Sequence, residues 1–339
     1  MCRIVLTILA AAVCVTAGFA LVAFRHGGHP MSAGQVPMPA IAFPAGAAYV
    51  DLPFTEQRNH IVVQARIGNS APLRCVLDTG ARGTVLFGDS LARALGMTPV
   101  GEAMIKGAGG GGQPVHGSVY QGVRFTLGGL QMSNAMLVAM PDASVAASPL
   151  KGQLAIGRGL WEQVVAEIDW DRHTVRLNDP ARFTYGGKGV SVPLELDSGG
   201  QPYVKASVAL AGGQPFDVTL VLDTGASHAV QLQPGSDPAI VVPSDARREK
   251  IGLGATGQVW GRIGRAASFE IGGVTFRDVP VTFPDSSLGL PGSHTRQGNL
   301  GSGLLRRFRV ILDFPKHRMI LEPGPHVAEP IVLPAYGGN

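Results

Sequence analysis

Asp78 and Asp223 stand in the same hexapeptide, VLDTGA, at residues 76–81 and 221–226, 145 positions apart. An aspartate in a turn ordinarily accepts hydrogen bonds from its own backbone two residues on, which is a structural role. Two copies in register alter that weighing. A duplicated β unit places its copies about a pseudo-twofold axis, and equivalent loops can meet there. Two carboxyls delivered to such an axis cannot both ionise and share one proton over a wide pH range. The ionised member can take a proton from a water between them while the protonated member donates to a carbonyl oxygen under attack. This chemistry needs neither metal nor covalent intermediate. Gly80 and Gly225 let backbone N–H groups approach the carboxylates, and the hydroxyls of Thr79 and Thr224 can lock one loop to the other.

The elements that must position these residues are themselves duplicated. Gly112-Gln113 recurs as Gly257-Gln258 at the same offset of 145. After one deletion the offset becomes 144 and pairs Gly117 with Gly261, Gly157 with Gly301, Asp169 with Asp313 and His173 with His317. Upstream of each triplet, alternating apolar positions, a turn cluster and a second apolar run read as a β-hairpin. Downstream, DSLARALGM predicts a short helix capped by Asp89 or Ser90. Two prolines forbid that helix in the second copy, where SDARREKIG from Ser244 is the nearest helical candidate. Each copy ends in an apolar strand preceded by a turn that carries His173 or His317, both expected at the surface.

Composition agrees with a turn-rich β protein. Charged residues are 15% of the 339 and hydrophobic ones 45%, with 47 Gly and 25 Pro. The net charge of +4 comes from scattered Lys and Arg without a basic run, which sets nucleic acid aside. GAGGGG at 107–112 and GLGATG at 252–257 match GxGxxG, but strand-like sequence follows each instead of a helix. Both fit glycine-rich hairpin tips. No histidine spacing suits a metal and no cofactor is expected. Trp161 and Trp170 are expected to pack, whereas Trp260 can border a pocket.

Residues 4–24 carry no charge, and residues 1–25 read as a membrane-targeting segment, cleaved as a signal peptide or retained as an anchor. The expected location is therefore exported, periplasmic or otherwise extracytoplasmic, with membrane contact through this segment alone. Residues 26–48, rich in Pro, Gly and Ala, read as a linker. The expected lobes are 49–187 and 188–325, followed by a tail at 326–339. With Cys2 and Cys14 in the targeting segment, Cys75 is left without a disulfide partner and reads as a buried small hydrophobe.

Two VLDTGA motifs over residues 49–323 resemble the bilobal aspartic proteases, and more narrowly the bacterial retropepsin-like and pepsin-like family. The resemblance implies an all-β fold of two homologous lobes, each a small closed barrel, related by a pseudo-twofold with few short helices. It implies that Asp78 and Asp223 are catalytic and that Thr79, Gly80, Thr224 and Gly225 brace their loops. The apolar-Gly element behind each loop maps onto Ala155-Ile156-Gly157 and Asn299-Leu300-Gly301. Gly109, Gly110, Gly111, Gly254, Ala255, Thr256 and Trp260 map onto flaps that close over substrate, one from each lobe.

Two positions depart from the family pattern. Arg82 stands where many relatives have Ser or Asp and either pairs with a neighbouring acid or lowers the dyad's pKa values. Asn299 replaces an apolar residue. The leading expectation is a monomeric endopeptidase acting on an extended polypeptide through an intramolecular dyad. A catalytically silent bilobal module that binds peptide or protein, and a structural duplication whose triplets never meet, are the alternatives.

Overall fold

The computed structural model describes residues 20–26, 29–31, 38–106, 115–146, 153–254, 257–285 and 296–332. Each half closes into a ring of six strands. The first runs from His60–Ile67 through Leu73–Leu77, Leu154–Ile156, Thr84–Phe87, Leu130–Met140 and Val115–Leu127 and returns to His60–Ile67. The second repeats this order with Pro202–Leu210, Phe216–Asp223, Gly298–Gly301, Val230–Leu232, Val274–Pro284 and Gly257–Ile271. The strand that leads into each Asp-Thr-Gly therefore lies inside a closed ladder. Its parallel neighbour is the apolar-Gly strand of the same half.

A separate six-stranded sheet joins the halves, three strands from each. At its centre Val165–Asp169 runs antiparallel to Phe308–Asp313. Glu167 faces Ile311, its own repeat equivalent, so the pseudo-twofold axis passes between them. Alternation drives the burial: in the outer strand Tyr49–Pro53 only Val50 and Leu52 point inward. One hydrophobic core spans both halves, and Trp161 of the first half stacks on Phe314 of the second at 6.3 Å. Among the described residues the α-helices are short: Ser90–Ala94, Arg158–Trp161 and Ser302–Leu305.

Several expectations meet the structure directly. The helix Ser90–Ala94 forms, with Asp89 at its N-cap position but without a side-chain capping bond. Residues 244–252 are not helical. Arg247–Gly254 is a strand paired with Gly257–Ile271, because Ile251 buries against Val259 and that partner overrides local helix propensity. His173 and His317 are exposed and share a left-handed φ of 51° in equivalent turns. Cys75 is fully buried and free, and burial pushes its thiol well above its ordinary range. Trp161 and Trp170 are buried.

The N-terminal part differs more. Residues 1–19 lie outside the described residues, but residues 20–24 of the apolar segment belong to the strand Ala20–His26, paired with Gly101–Lys106. The spanning helix is thus not continued through them, since a neighbouring hairpin edge offers backbone partners there. Among the described residues no helix is long and apolar enough to cross a membrane. Within the stretch read as a linker, Ala40–Ala42 pairs with Leu130–Met140.

Candidate active site

Each Asp-Thr-Gly turn leaves the end of a barrel strand, and the two turns interlock. Thr79 N–H donates to Thr224 Oγ1 at 3.0 Å and Thr224 N–H donates to Thr79 Oγ1 at 2.9 Å. Each hydroxyl then donates to the carbonyl just ahead of the opposite aspartate, Thr79 to Leu222 and Thr224 to Leu77, both at 2.7 Å. Four buried bonds of this kind contribute about 4 kcal/mol to holding the loops together.

The lock brings the aspartates together. Asp78 and Asp223 are both 0% exposed and within hydrogen-bonding reach of each other. Asp78 Oδ1 accepts from Gly80 N–H at 2.9 Å and from Ala81 N–H at 3.1 Å. Asp223 Oδ2 accepts from Asn299 Nδ2 at 3.3 Å. The remaining oxygens, Asp78 Oδ2 and Asp223 Oδ1, meet no protein donor, so a proton held by one carboxyl is what can satisfy the pair. A side chain at Gly225 would strike the Asp78 carboxyl, whose Cγ lies 2.3 Å from the Cβ position. Only glycine permits that approach.

Burial sets the electrostatics. It pushes Asp78 up to about 7, opposed chiefly by the Gly80 N–H. It pushes Asp223 well above the usual carboxylate range, and the charge on Asp78 pushes further. Asp78 has two backbone donors and Asp223 the Asn299 amide, and the two carboxyls share one proton as a coupled pair.

The support behind each turn is also duplicated. Asp78 N–H donates to Ile156 O at 3.0 Å, and Asp223 pairs with Gly301 in the parallel ladder. Gly157 and Gly301 lie so close to the turns that a Cβ would meet Ala81 O at 2.1 Å or His228 O at 2.2 Å. Arg158 N–H and Ser302 N–H then bond Ala81 O and Ala226 O, at 3.0 Å and 2.8 Å.

Some residues at the site carry no motif. His60 Nε2 lies 3.0 Å from Gly225 O and its Nδ1 lies 3.0 Å from Gln57 O, so the neutral ring donates to only one of them. Gln201 makes the equivalent reach in reverse, donating to Gly80 O at 3.2 Å. Each half thus grips the glycine of the other's turn. His228, five residues after Asp223, is wholly buried with both ring nitrogens unpartnered. Burial pushes His60 down to about 4 and His228 down to about 3.

The two departures resolve differently. Arg82 pairs with Asp197 of the other half at 2.5 Å. Asn299 has become a donor to the dyad, where its equivalent Ala155 cannot be. The hairpins expected to form flaps are built by Gly101–Lys106 with Val115–Leu127 and by Arg247–Gly254 with Gly257–Ile271. Gly109, Gly110, Gly111, Ala255 and Thr256 lie outside the described residues, while Gly254 ends its strand opposite Gly257. Trp260 is 43% exposed on the second hairpin, with the Arg248 guanidinium 5.1 Å from its ring centroid.

The profile of the family described as "Aspartyl protease" matches residues 63–157 and 204–304, one segment in each half. No curated protein sequence matches the chain. Among solved structures, an aspartic proteinase from Irpex lacteus is similar at 15% identity and a TM-score of 0.47, covering 82% of this chain and 98% of that one.

Proposed function

The chain belongs to the aspartyl protease family, and from that premise we propose that it is an endopeptidase that hydrolyses peptide bonds in an extended polypeptide through Asp78 and Asp223. The observation that carries this reading is the reciprocal Thr79–Thr224 lock around two enclosed carboxyls within hydrogen-bonding reach of each other. The ionised carboxyl of the pair takes a proton from a water, whose oxygen forms a bond to the scissile carbonyl carbon. The protonated carboxyl gives its proton to the carbonyl oxygen, and the product is a neutral tetrahedral diol. The proton acquired by the first carboxyl then passes to the amide nitrogen as the C–N bond breaks. One hydroxyl of the collapsing diol returns its proton to the second, which restores the starting state.

Enclosure of both carboxyls means that the surrounding chain must open to admit substrate, as closing lids do. An extended polypeptide suits the site because it can add to hairpin edges by main-chain hydrogen bonds. The test is cleavage of a mixed peptide library by the wild-type chain and by Asp78→Asn and Asp223→Asn. Loss of cleavage in both variants is the expected result. Cleavage at the wild-type rate by either one would overturn the shared-proton mechanism.

A further inference from the structure

A cavity of about 420 Å³ opens beside the Asp78 turn, lined by Arg82, Asp197, Tyr203, Thr219 and Arg296 among others. Its two guanidiniums are tied to the two aspartate loops. Arg82 follows Asp78 by four residues. Arg296 is fixed through its neighbour Gln297, whose N–H donates to Thr219 O at 2.8 Å and whose Oε1 accepts from Thr219 N–H at 2.7 Å. Thr219 lies on the strand that delivers Asp223, about 13 Å before it at the strand rise.

The lining carries two guanidiniums and two carboxylates, Asp197 and Glu195, but neither carboxylate bonds Arg296. Asp197 is saturated: Oδ1 accepts from Gly199 N–H at 2.8 Å and Gln201 N–H at 3.0 Å. Its Oδ2 accepts from Arg82 at 2.5 Å and from the Tyr203 hydroxyl at 3.1 Å. Glu195 is paired with Lys205 at 3.2 Å. Arg296 is left with neutral acceptors, Gln201 Oε1 at 2.7 Å and Tyr203 Oη at 3.3 Å. All 24 acidic side chains fall among the described residues, and none forms an ion pair with it. Arg296 feels the charge of Asp197, which is already shared with Arg82, but bonds no carboxylate directly, and its planar fork suits the two oxygens of one that a ligand would bring. Burial indeed pulls the Arg296 pKa down.

We propose that this cavity binds a carboxylate of the polypeptide substrate, held by Arg296 beside the Arg82–Asp197 pair. The proposal rests on the peptidase reading and gives it a specificity. The carboxylate can be an Asp or Glu side chain, or the free C-terminus of the peptide.

The experiment compares the wild-type chain with Arg296→Gln, Arg296→Glu and Arg296→Lys. The peptides scan Asp, Glu, Lys and Ala across positions flanking the cut, each with a free and an amidated C-terminus. The wild type should favour carboxylate-bearing peptides by about tenfold or more in kcat/KM, through lower KM. Arg296→Gln should erase that ratio, Arg296→Lys should retain part of it, and Arg296→Glu should turn it toward Lys. Loss on amidation alone assigns the site to the terminus, and loss on internal Asp or Glu replacement assigns it to a side chain. Equal treatment of acidic and neutral peptides by the wild type, or a uniform loss across all peptides in Arg296→Gln, would overturn the proposal. Calorimetric binding of the same peptides to Asp223→Asn gives a readout that does not need turnover. Absence of cleavage by the wild type on every peptide would instead strike at the peptidase reading, and this binding result would stand or fall alone.

Discussion

Asn299 donates its amide to Asp223 at 3.3 Å, while Ala155, at the equivalent place behind Asp78, has nothing to donate. The dyad is therefore built asymmetrically from symmetric parts. The backbone turns offer Asp78 two donors, and a side chain supplements Asp223.

A donor to a carboxylate stabilises its ionised form, so removing it raises the pKa. Asn299→Leu should move the basic limb of the kcat/KM profile to higher pH, because that limb reports ionisation of the second carboxyl. A pH–rate profile checks this, and an unmoved basic limb would separate Asn299 from the dyad's titration.

Thr224→Val keeps the side-chain shape but deletes the hydroxyl that accepts from Thr79 N–H and donates to Leu77 O. Two bonds are lost and a buried N–H is stranded, at a cost of about 3 kcal/mol. Urea unfolding should show that loss, and Thr224→Ser should recover most of it. Full stability in the valine variant would mean that the lock contributes nothing.

The aspartates should weaken the fold as pH rises. Their folded pKa values lie above the unfolded ones, so the stability they carry is present below about pH 4 and lost as pH climbs through the folded values. Asp223→Asn removes one of these ionisations. Its unfolding free energy should fall less than wild type between pH 5 and pH 8.5, while kcat drops by about a thousandfold. Parallel stability curves would contradict the burial-driven shift.

His60 and His228 act in the other direction. Their folded pKa values are depressed, to about 4 and about 3, against 6.5 for the ordinary side chain. The unfolded chain binds these protons first, so stability drains as pH falls from 6.5 through those values. Each histidine should remove on the order of 3 kcal/mol by pH 3.5. His228→Leu should flatten the acid side of a stability–pH curve measured by urea unfolding. An acid loss as steep as wild type would show that His228 is protonated or rearranged in the native state.

Much of this architecture is legible in the residues. Landmarks kept at offsets of 145 and 144 disclose the duplication, and the two Asp-Thr-Gly triplets locate the turns that meet. The helix proposed from Ser244 fails because Arg247–Gly254 pairs with Gly257–Ile271 and Ile251 buries against Val259, a tertiary gain that outweighs local helix propensity. His60 and Gln201 perform one task in the two halves yet differ in type and stand 18 and 22 residues before their aspartates. The unequal hairpins between remove the register that would have matched them. Asn299 is visible as a departure, but its use as a donor depends on a parallel strand placing it beside Asp223. Arg296 carries no motif, and its importance lies in an ion-pair balance that only assembled side chains reveal.

The joining sheet carries a consequence for half the chain on its own. Because Glu167 meets its own counterpart Ile311 at the axis, a solitary first half would leave Val165–Asp169 as a bare edge whose best complement is a second copy of itself. Two such fragments would be expected to associate head to head and rebuild a symmetric ancestor of the present molecule, with one Asp78 from each.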